Sequence, residues 1–249
     1  MEIQVAVQLY TVREETNKDF IGTLEKVSKM GYEGVEFAGY GDIPASKMAE
    51  TLKRLGLKAA GSHVRLDLLK DNLNEVIAYN LEIGNQYILC PWAKFETKND
   101  YVQMAEFLNV AGKKCKESGL TLGYHNHDFE FKTFDGEYGL DILYKETNPS
   151  YVIAELDTYW VQRGGIDPIG YIKKYAGRCP LIHLKDMEAG EAKDYAEVGN
   201  GIMDIEGIVA AAEQSGVKWA IVEQDKCKRS SLESISISME NLKKMGIVK

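Results

Sequence analysis

The stretch QYILCPWAKFETKNDYVQMAEFLNVAGKKCKESGLTLGYHNH, residues 86–127, contains the pattern that decides the fold. It starts with a short apolar run, continues through a longer segment that ends at Gly119, and returns to a second apolar run. Short runs rich in apolar and β-forming residues predict strands, and a longer segment closed by glycine predicts a helix. A strand, a helix and a second strand in this order predict two parallel strands with the helix packed against them.

The same alternation extends in both directions along the chain. Eight strands are predicted at residues 3–10, 34–38, 57–64, 86–92, 120–127, 151–157, 179–186 and 218–225. Helices are predicted at residues 18–30, 44–55, 71–83, 99–118, 139–147, 168–176, 204–215 and 231–245. Eight such units in 249 residues favour one domain over residues 1–249, a single closed (β/α)8 TIM barrel. The alternative is a doubly wound open sheet, but neither GxGxxG nor GxxxxGK(S/T) follows the first strand.

Composition restricts the partners of the chain. The formal charge of −8 disfavours a nucleic-acid partner, because a phosphate backbone requires a basic surface. Four cysteines lie far apart and form no CxxC pattern, which is typical of reduced thiols. No run approaches the roughly 18 apolar residues of a membrane span, and the first residues do not have the pattern of a signal peptide. We therefore expect a cytoplasmic protein with no membrane partner, and the sequence leaves a homo-oligomer open.

Residues with catalytic potential fall at the C-terminal ends of the predicted strands, where a barrel of this kind carries its active site. All four histidines are among them, namely His63, His125, His127 and His183. The other candidates are Gln8, Glu36, Trp92, Asp157, Lys185, Asp186, Glu223 and Asp225. Histidine is a common metal ligand and proton carrier, and packing alone does not explain its confinement to one rim.

Strands five to eight each carry one ligand-type residue at this end. The set consists of His125 or His127 together with Asp157, His183 and Glu223. Mixed imidazole and carboxylate ligands suit one divalent ion such as Mn²⁺, Co²⁺, Fe²⁺ or Zn²⁺ better than Ca²⁺, and Mg²⁺ stays open. We predict that His125 is the ligand and that His127 lies beside the substrate. Asp157 also has a structural interpretation, as the cap of a helix that begins at residue 158.

Five rim residues are predicted to bind the substrate, namely Gln8, Glu36, His63, Trp92 and Trp160. Gln8 and Glu36 could donate or accept hydrogen bonds, or they could be structural. The two tryptophans could cover the apolar face of a sugar ring, or they could belong to the core.

Lys185 follows His183 by two residues and is predicted to face the substrate, although a surface lysine is the alternative. Glu130 either supports the site or is solvated, and Asp186 and Asp225 are interpreted as supporting or capping groups. The irregular stretch over residues 187–203 is predicted to be a loop above the site.

Eight motifs along nearly the whole chain share one family pattern. They are VQLYTVR (7–13), GYEGVEFAGY (31–40), GSHV (61–64), YHNHDFEF (124–131), ELDTYWVQRGGIDP (155–168), IHLKDM (182–187), VGNGIMD (198–204) and VEQD (222–225). Together they resemble the xylose-isomerase-like barrel superfamily, in the branch known as sugar phosphate isomerases/epimerases.

The resemblance implies a metal site of Glu, Asp, His and Glu from strands five to eight. Asp157, His183 and Glu223 match the last three positions, whereas His125 occupies the first. In epimerases of the superfamily the two glutamates also act as paired bases, so this chain departs from that scheme. Its YHNH and HLKD patterns are similar to inosose dehydratase-like and keto-glycoside-processing members. Two carboxylates and two neutral imidazoles leave a divalent site neutral, whereas three carboxylates would leave it with a charge of −1. The metal is therefore a stronger Lewis acid than it would be with three carboxylates.

The pattern and the resemblance predict a divalent-metal-dependent sugar isomerase or epimerase that acts on a sugar, keto-sugar or related polyol. It would remove an α-proton through Glu223, His127 or His63 and pass through an enediolate, with Lys185 stabilising the anion or binding a hydroxyl. The alternative is a metal-dependent dehydratase or lyase of an inosose or keto-glycoside, which shares this first step. A metal-dependent endonuclease would need more ligands and a basic face, and a non-catalytic sugar-binding barrel would not need four intact ligands.

Overall fold

Eight parallel strands form a closed ring in the computed structural model, which describes residues 3–248. In chain order they are β1 (Gln4–Gln8), β2 (Gly34–Phe37), β3 (Lys58–His63), β4 (Tyr87–Cys90), β5 (Thr121–His125), β6 (Val152–Asp157), β7 (Leu181–Leu184) and β8 (Trp219–Val222). Each strand pairs with the next, and β8 closes the ring on β1, where Gln4 pairs with Trp219. The predicted (β/α)8 TIM barrel is confirmed, and the open sheet is excluded.

Helices follow the strands and cover the outside of the ring. They are α1 (Arg13–Lys18), α2 (Phe20–Met30), α3 (Ala45–Leu55), α4 (Leu66–Asp71), α5 (Leu73–Glu82), α6 (Lys98–Glu117), α7 (Gly139–Glu146), α8 (Thr158–Arg163), α9 (Pro168–Lys174), α10 (Ile205–Gln214) and α11 (Ser231–Lys244). The sequence did not predict α1 and α4, because six residues are less than two turns and give no periodic signal. Within residues 3–248, no helix combines the length and apolar character needed to cross a membrane.

Side chains alternate along each strand between the interior of the ring and the helices. Leu181 and Ile221 belong to a small interior apolar cluster that also contains Ala6, Ala60, Leu89 and Trp219. Two positions further along the same strands, His183 and Glu223 continue the interior face. The interior therefore changes from apolar to polar toward the C-terminal ends of the strands.

Strand β5 is shorter than predicted, and this changes the position of one histidine. The strand ends at His125, and the chain then leaves the sheet at Asn126, whose side-chain Oδ1 accepts a hydrogen bond from the backbone of Asp157 at 3.0 Å. The prediction that this strand continues to residue 127 is therefore wrong by two residues. His127 lies on the loop that leads to a short 3-10 helix at Phe129–Phe131.

Helix α6 contains a position at which alanine, a better helix former than glycine, should destabilise the protein. A Cβ on Gly112 would lie 2.6 Å from the backbone oxygen of Tyr151. We expect Gly112→Ala to lower the free energy of unfolding by about 1–2 kcal/mol in urea titrations, because overpacking exceeds the gain in helix propensity of about 1 kcal/mol. Lys113→Ala, on the exposed face, should change it by less than about 0.5 kcal/mol. A more stable Gly112→Ala variant would contradict this packing.

Candidate functional site

A cavity of about 460 Å³ opens at the C-terminal ends of the strands, within the range of about 300–1,000 Å³ found for small-molecule sites. It is lined by Tyr10, Ala38, His63, Arg65, Pro91, Trp92, His125, His127, Trp160, Lys185, Tyr195, Glu223 and Asp225. Eight of these thirteen residues were candidates in the sequence analysis, with Asp225 as a supporting or capping group. Arg65 and Tyr195 were not predicted, because they lie on loops where no periodic pattern marks their direction. Tyr10 was missed although it ends the predicted strand over residues 3–10.

The four predicted metal ligands come together beside this cavity. His125, Asp157, His183 and Glu223 each offer one ligand atom, and these atoms all lie within 4.8 Å of one another. Oδ2 of Asp157 lies 3.8 Å from Nε2 of His125 and 3.9 Å from Nδ1 of His183. This oxygen is buried, and the Lys185 ammonium lies 2.9 Å from it. Two imidazole nitrogens and two carboxylates whose ligand atoms lie this close together fit a divalent cation with mixed nitrogen and oxygen ligands.

The capping interpretation of Asp157 is confirmed, and its role as a metal ligand stays a prediction. Its Oδ1 accepts a hydrogen bond from the backbone N–H of Trp160 at 3.1 Å and so caps helix α8. Its Oδ2 faces the imidazoles. One carboxylate thus fixes the loop after β6 and contributes to the site.

A second group of ligand-type residues overlaps the first. It consists of His63, His125, Glu155 and His183. Oε2 of Glu155 lies 2.7 Å from Nε2 of His63 and 3.0 Å from Nδ1 of His125. The sequence analysis missed Glu155, although it precedes Asp157 by two residues and therefore shares its facing on β6. A neutral imidazole has one lone pair, so His125 and His183 cannot serve both groups at once.

Two of the predicted substrate-binding residues do not reach the cavity. Gln8 and Glu36 are completely buried, and Nε2 of Gln8 donates to Oε2 of Glu36 at 2.7 Å. The same carboxylate oxygen lies 2.7 Å from Nε2 of His183. The prediction that these residues contact a substrate is therefore wrong. They support the site instead, because their side chains contact each other and His183. Glu36 and Glu155 orient His183 and His125 and leave the opposite ring nitrogens directed toward Asp157 and Glu223.

Burial and close charges shift the pKa values of this cluster in opposite directions. Burial raises the pKa of Glu36 to about 7 and that of Asp157 to about 6. Burial would also raise the pKa of Glu223, but Lys185 and His183 hold it well below its usual value. Burial would lower the pKa of His183, yet the surrounding carboxylates raise it well above the usual value. The cluster therefore has an excess of negative charge that retains cations.

Lys185 is the internal cation of the site. Its side chain is 1% exposed, and Nζ lies 2.9 Å from Oδ2 of Asp157, 2.9 Å from Oε2 of Glu223 and 3.1 Å from Oδ2 of Asp225. The ammonium also lies 5.3–6.0 Å from the ring centroids of Tyr159, Trp160 and Tyr195. Burial would lower the pKa of Lys185, but the three carboxylates raise it well above its usual value, so the group stays charged.

His127 is held in place by Glu130, which is buried rather than solvated. Oε2 of Glu130 accepts the backbone N–H of His127 at 2.8 Å, and Oε1 accepts the hydroxyl of Tyr124 at 2.7 Å. Nδ1 of His127 is buried without a hydrogen-bond partner. Burial lowers the pKa of His127 to about 4, and the nearby Lys185 ammonium adds to this effect. The imidazole is therefore neutral near pH 7.

The loop over residues 187–203 covers one side of the cavity, as predicted, and Asp186 organises it. The Asp186 carboxylate accepts backbone N–H groups from Met187, Gly199, Gly201 and Met203 at 2.7–3.1 Å. A Cβ on Gly201 would collide with this carboxylate, so the glycine allows the close approach. The loop carries Tyr195 to the cavity wall.

The sequence and the fold agree with one known family. Residues 24–245 match the family described as xylose isomerase-like TIM barrel, and the chain belongs to this family. The resemblance drawn from the motifs is thereby confirmed.

Individual relatives differ in what they do. An inosose dehydratase from Clostridium tetani is 28% identical over 156 residues, which cover 55% of this chain and 52% of the relative. The chain thus spans about half the length of the curated relatives that it matches. A sugar phosphate isomerase/epimerase from Parabacteroides distasonis is 25% identical and has a TM-score of 0.86 over 99% of this chain and 100% of its own. The IolI protein, solved with a bound zinc atom, shares the fold at 15% identity, with a TM-score of 0.79 over 99% of this chain and 98% of its own.

The contacts of Lys185 generate a prediction about metal affinity. We expect Lys185→Met to bind Mn²⁺ at least about tenfold more tightly than the parent in calorimetric titrations of chelator-treated protein. The reason is that the ammonium shares Asp157 and Glu223 with the candidate metal position and repels a second cation there. Lys94→Met, which removes an exposed lysine, should leave the affinity unchanged. Weaker Mn²⁺ binding by Lys185→Met would contradict this electrostatic account.

Proposed function

We propose that the chain is a divalent-metal-dependent enzyme that removes the α-proton of a sugar, keto-sugar or related polyol, as an isomerase or epimerase does. One observation carries the proposal: four ligand atoms converge within 4.8 Å beside a cavity whose wall also contains a neutral imidazole and a buried ammonium. The formal charge of −8 supports a small-molecule substrate rather than a nucleic acid.

His125, Asp157, His183 and Glu223 would hold the ion. A divalent ion bound there would polarise a carbonyl or hydroxyl oxygen of the substrate as a Lewis acid. The zinc atom of IolI supports a metal in this fold, and the mixed donor set fits Mn²⁺, Co²⁺, Fe²⁺, Zn²⁺ or Mg²⁺. The excess of buried carboxylates supports the same proposal, since an added cation balances their charge.

His127 is the best candidate for the base. Its ring lines the cavity and is neutral near pH 7, so it can accept a proton from the substrate carbon. His63, the alternative base, lies 2.7 Å from the Glu155 carboxylate and is engaged there. Glu223, the other alternative, is paired with His183 at 2.8 Å and with Lys185 at 2.9 Å. These contacts favour His127 over the other two.

Lys185 would stabilise negative charge that develops on the substrate oxygen after proton removal. Its ammonium lines the cavity and stays charged, so it can donate a hydrogen bond to an enediolate oxygen. The proton held by His127 then returns to the neighbouring carbon in an isomerisation. An epimerisation would instead need a second group that delivers a proton to the opposite face of the same carbon. Trp92 and Trp160 would contact the substrate from the cavity wall.

A metal-dependent dehydratase or lyase of an inosose or keto-glycoside is the second candidate. The curated inosose dehydratases favour it, and so does a histidine at the position where the family resemblance implies a glutamate base. The α-proton would again pass to His127. The bond from the β-carbon to its hydroxyl or glycosyl oxygen would then break, and that oxygen would leave with a proton.

Two alanine variants separate the roles of the neighbouring histidines. We expect His125→Ala to lose Mn²⁺, because it removes a ligand, and His127→Ala to keep Mn²⁺ and lose turnover, because it removes the base. The metal content of both variants is measured after gel filtration, and circular dichroism checks that both variants are folded. Retention of Mn²⁺ by His125→Ala together with its loss from His127→Ala would show that the two assignments are reversed.

Exchange of hydrogen with solvent tests the reaction itself. We expect the Mn²⁺-loaded protein in deuterated water to incorporate deuterium at the α-carbon of a ketohexose or an inosose. Proton NMR follows the loss of the α-proton signal. Deuterium in recovered substrate or isomer indicates an isomerase or epimerase, and loss of the α-proton with formation of an unsaturated or cleaved product indicates a dehydratase or lyase. His127→Gln should retain metal and exchange at least about 100-fold more slowly. The proposal fails if metal-loaded protein exchanges no α-hydrogen in any ketohexose or inosose.

A further inference from the structure

Several large hydrophobic side chains are exposed, and three of them lie at or next to the cavity. Among the described residues the exposed ones are Tyr10, Leu68, Leu81, Trp92, Val110, Phe129 and Ile202. Tyr10 and Trp92 line the cavity and Phe129 contacts Trp92, whereas Leu68, Leu81 and Val110 lie on helices α4, α5 and α6. Clustered exposed apolar surface marks a binding surface more often than isolated residues do.

Three of these residues are aromatic, and we call them the aromatic rim: Tyr10, Trp92 and Phe129. Tyr10 and Trp92 line the cavity and are 44% and 53% exposed. The ring of Trp92 meets Phe129 edge-on at 6.5 Å between centroids. Phe129 stacks on His127 at 5.5 Å with an interplanar angle of 11°. The aromatic surface therefore runs from solvent to the imidazole that we assign as the base.

The charged groups of the same cavity are already paired with one another. Oε2 of Glu223 lies 2.9 Å from the Lys185 ammonium, and Oδ2 of Asp225 lies 3.1 Å from it. At the mouth, Nε and Nη2 of Arg65 both donate hydrogen bonds to the Asp67 carboxylate. The inner cavity thus suits a hydroxylated ring, and the mouth suits a ring with an apolar face.

We propose that the aromatic rim is a subsite for a second ring, joined by a glycosidic bond to the sugar that occupies the inner cavity. The ligand class is a glycoside whose second ring, aryl or sugar, presents a flat apolar face to Trp92. This inference rests on the proposed function, because it takes the inner cavity to be the sugar site. It goes beyond that function by assigning the rim a ligand and by favouring substrates larger than one ring.

Binding of matched glucosides tests the subsite. Chelator-treated protein is reloaded with Mn²⁺, and the affinities of methyl glucoside, phenyl glucoside and a glucose disaccharide are measured by calorimetry, with both anomers of each glucoside. We expect the phenyl glucoside and the disaccharide to bind about tenfold more tightly than the methyl glucoside, the gain of one aromatic stacking contact. Trp92→Ala should remove this gain, so that the two-ring ligands bind it no more tightly than the methyl glucoside does, and Trp92→Phe should retain most of the gain.

Leu68→Ala is the matched control, since Leu68 is a hydrophobic residue that is 44% exposed but does not line the cavity. Equal affinities for one-ring and two-ring ligands would overturn the inference and leave the proposed function intact. Loss of the gain in Leu68→Ala as in Trp92→Ala would also overturn it. If Trp92→Ala changes the sedimentation of the protein but not glucoside affinity, the rim is an interface between copies instead. Failure of every glucoside to bind the Mn²⁺-loaded protein would count against the sugar site itself and against this inference with it.

Discussion

Burial of four carboxylates in one end of the barrel is the constraint on which the rest of the site depends. Glu36, Glu155, Asp157 and Glu223 are each at most 5% exposed and converge on shared neighbours. An unpaired buried carboxylate costs several kcal/mol, so each needs a cation or a hydrogen-bond donor. This requirement explains the confinement of the histidines to one rim and the burial of Lys185. It also gives a physical reason for a divalent ion, which would balance charge that the side chains leave uncompensated.

The four carboxylates form an inner pair and an outer pair with different roles. Glu36 and Glu155 end on the inner nitrogens of the imidazoles and do not line the cavity, whereas Asp157 and Glu223 lie on the side of the outer nitrogens. The inner pair fixes the direction of the rings, and the outer pair completes a ligand set beside the cavity. Residues on loops complete the site. Glu130, for example, fixes His127 by accepting a hydrogen bond from its backbone N–H.

Much of this arrangement could be predicted from the sequence, because strand and helix periods report direction. The alternation around residues 86–127 predicts the closed barrel, and ligand-type residues at the ends of strands five to eight lie together as expected. Depth along a strand is harder to predict. Glu155 was missed, and Glu36 was assigned to the substrate, because period-two alternation gives the face of a residue but not its distance from the mouth. Positions on loops, such as Tyr195, carry no period at all.

The central claim is that one divalent ion is held between His125, Asp157, His183 and Glu223. Anomalous diffraction from a crystal of the Mn²⁺-loaded protein, collected on either side of the manganese absorption edge, tests it most directly. The account predicts one anomalous peak about 2.0–2.3 Å from Nε2 of His125, Nδ1 of His183 and the Asp157 and Glu223 carboxylates. A peak among His63, Glu155 and the opposite nitrogens of the two histidines, or no peak in fully loaded protein, would contradict it.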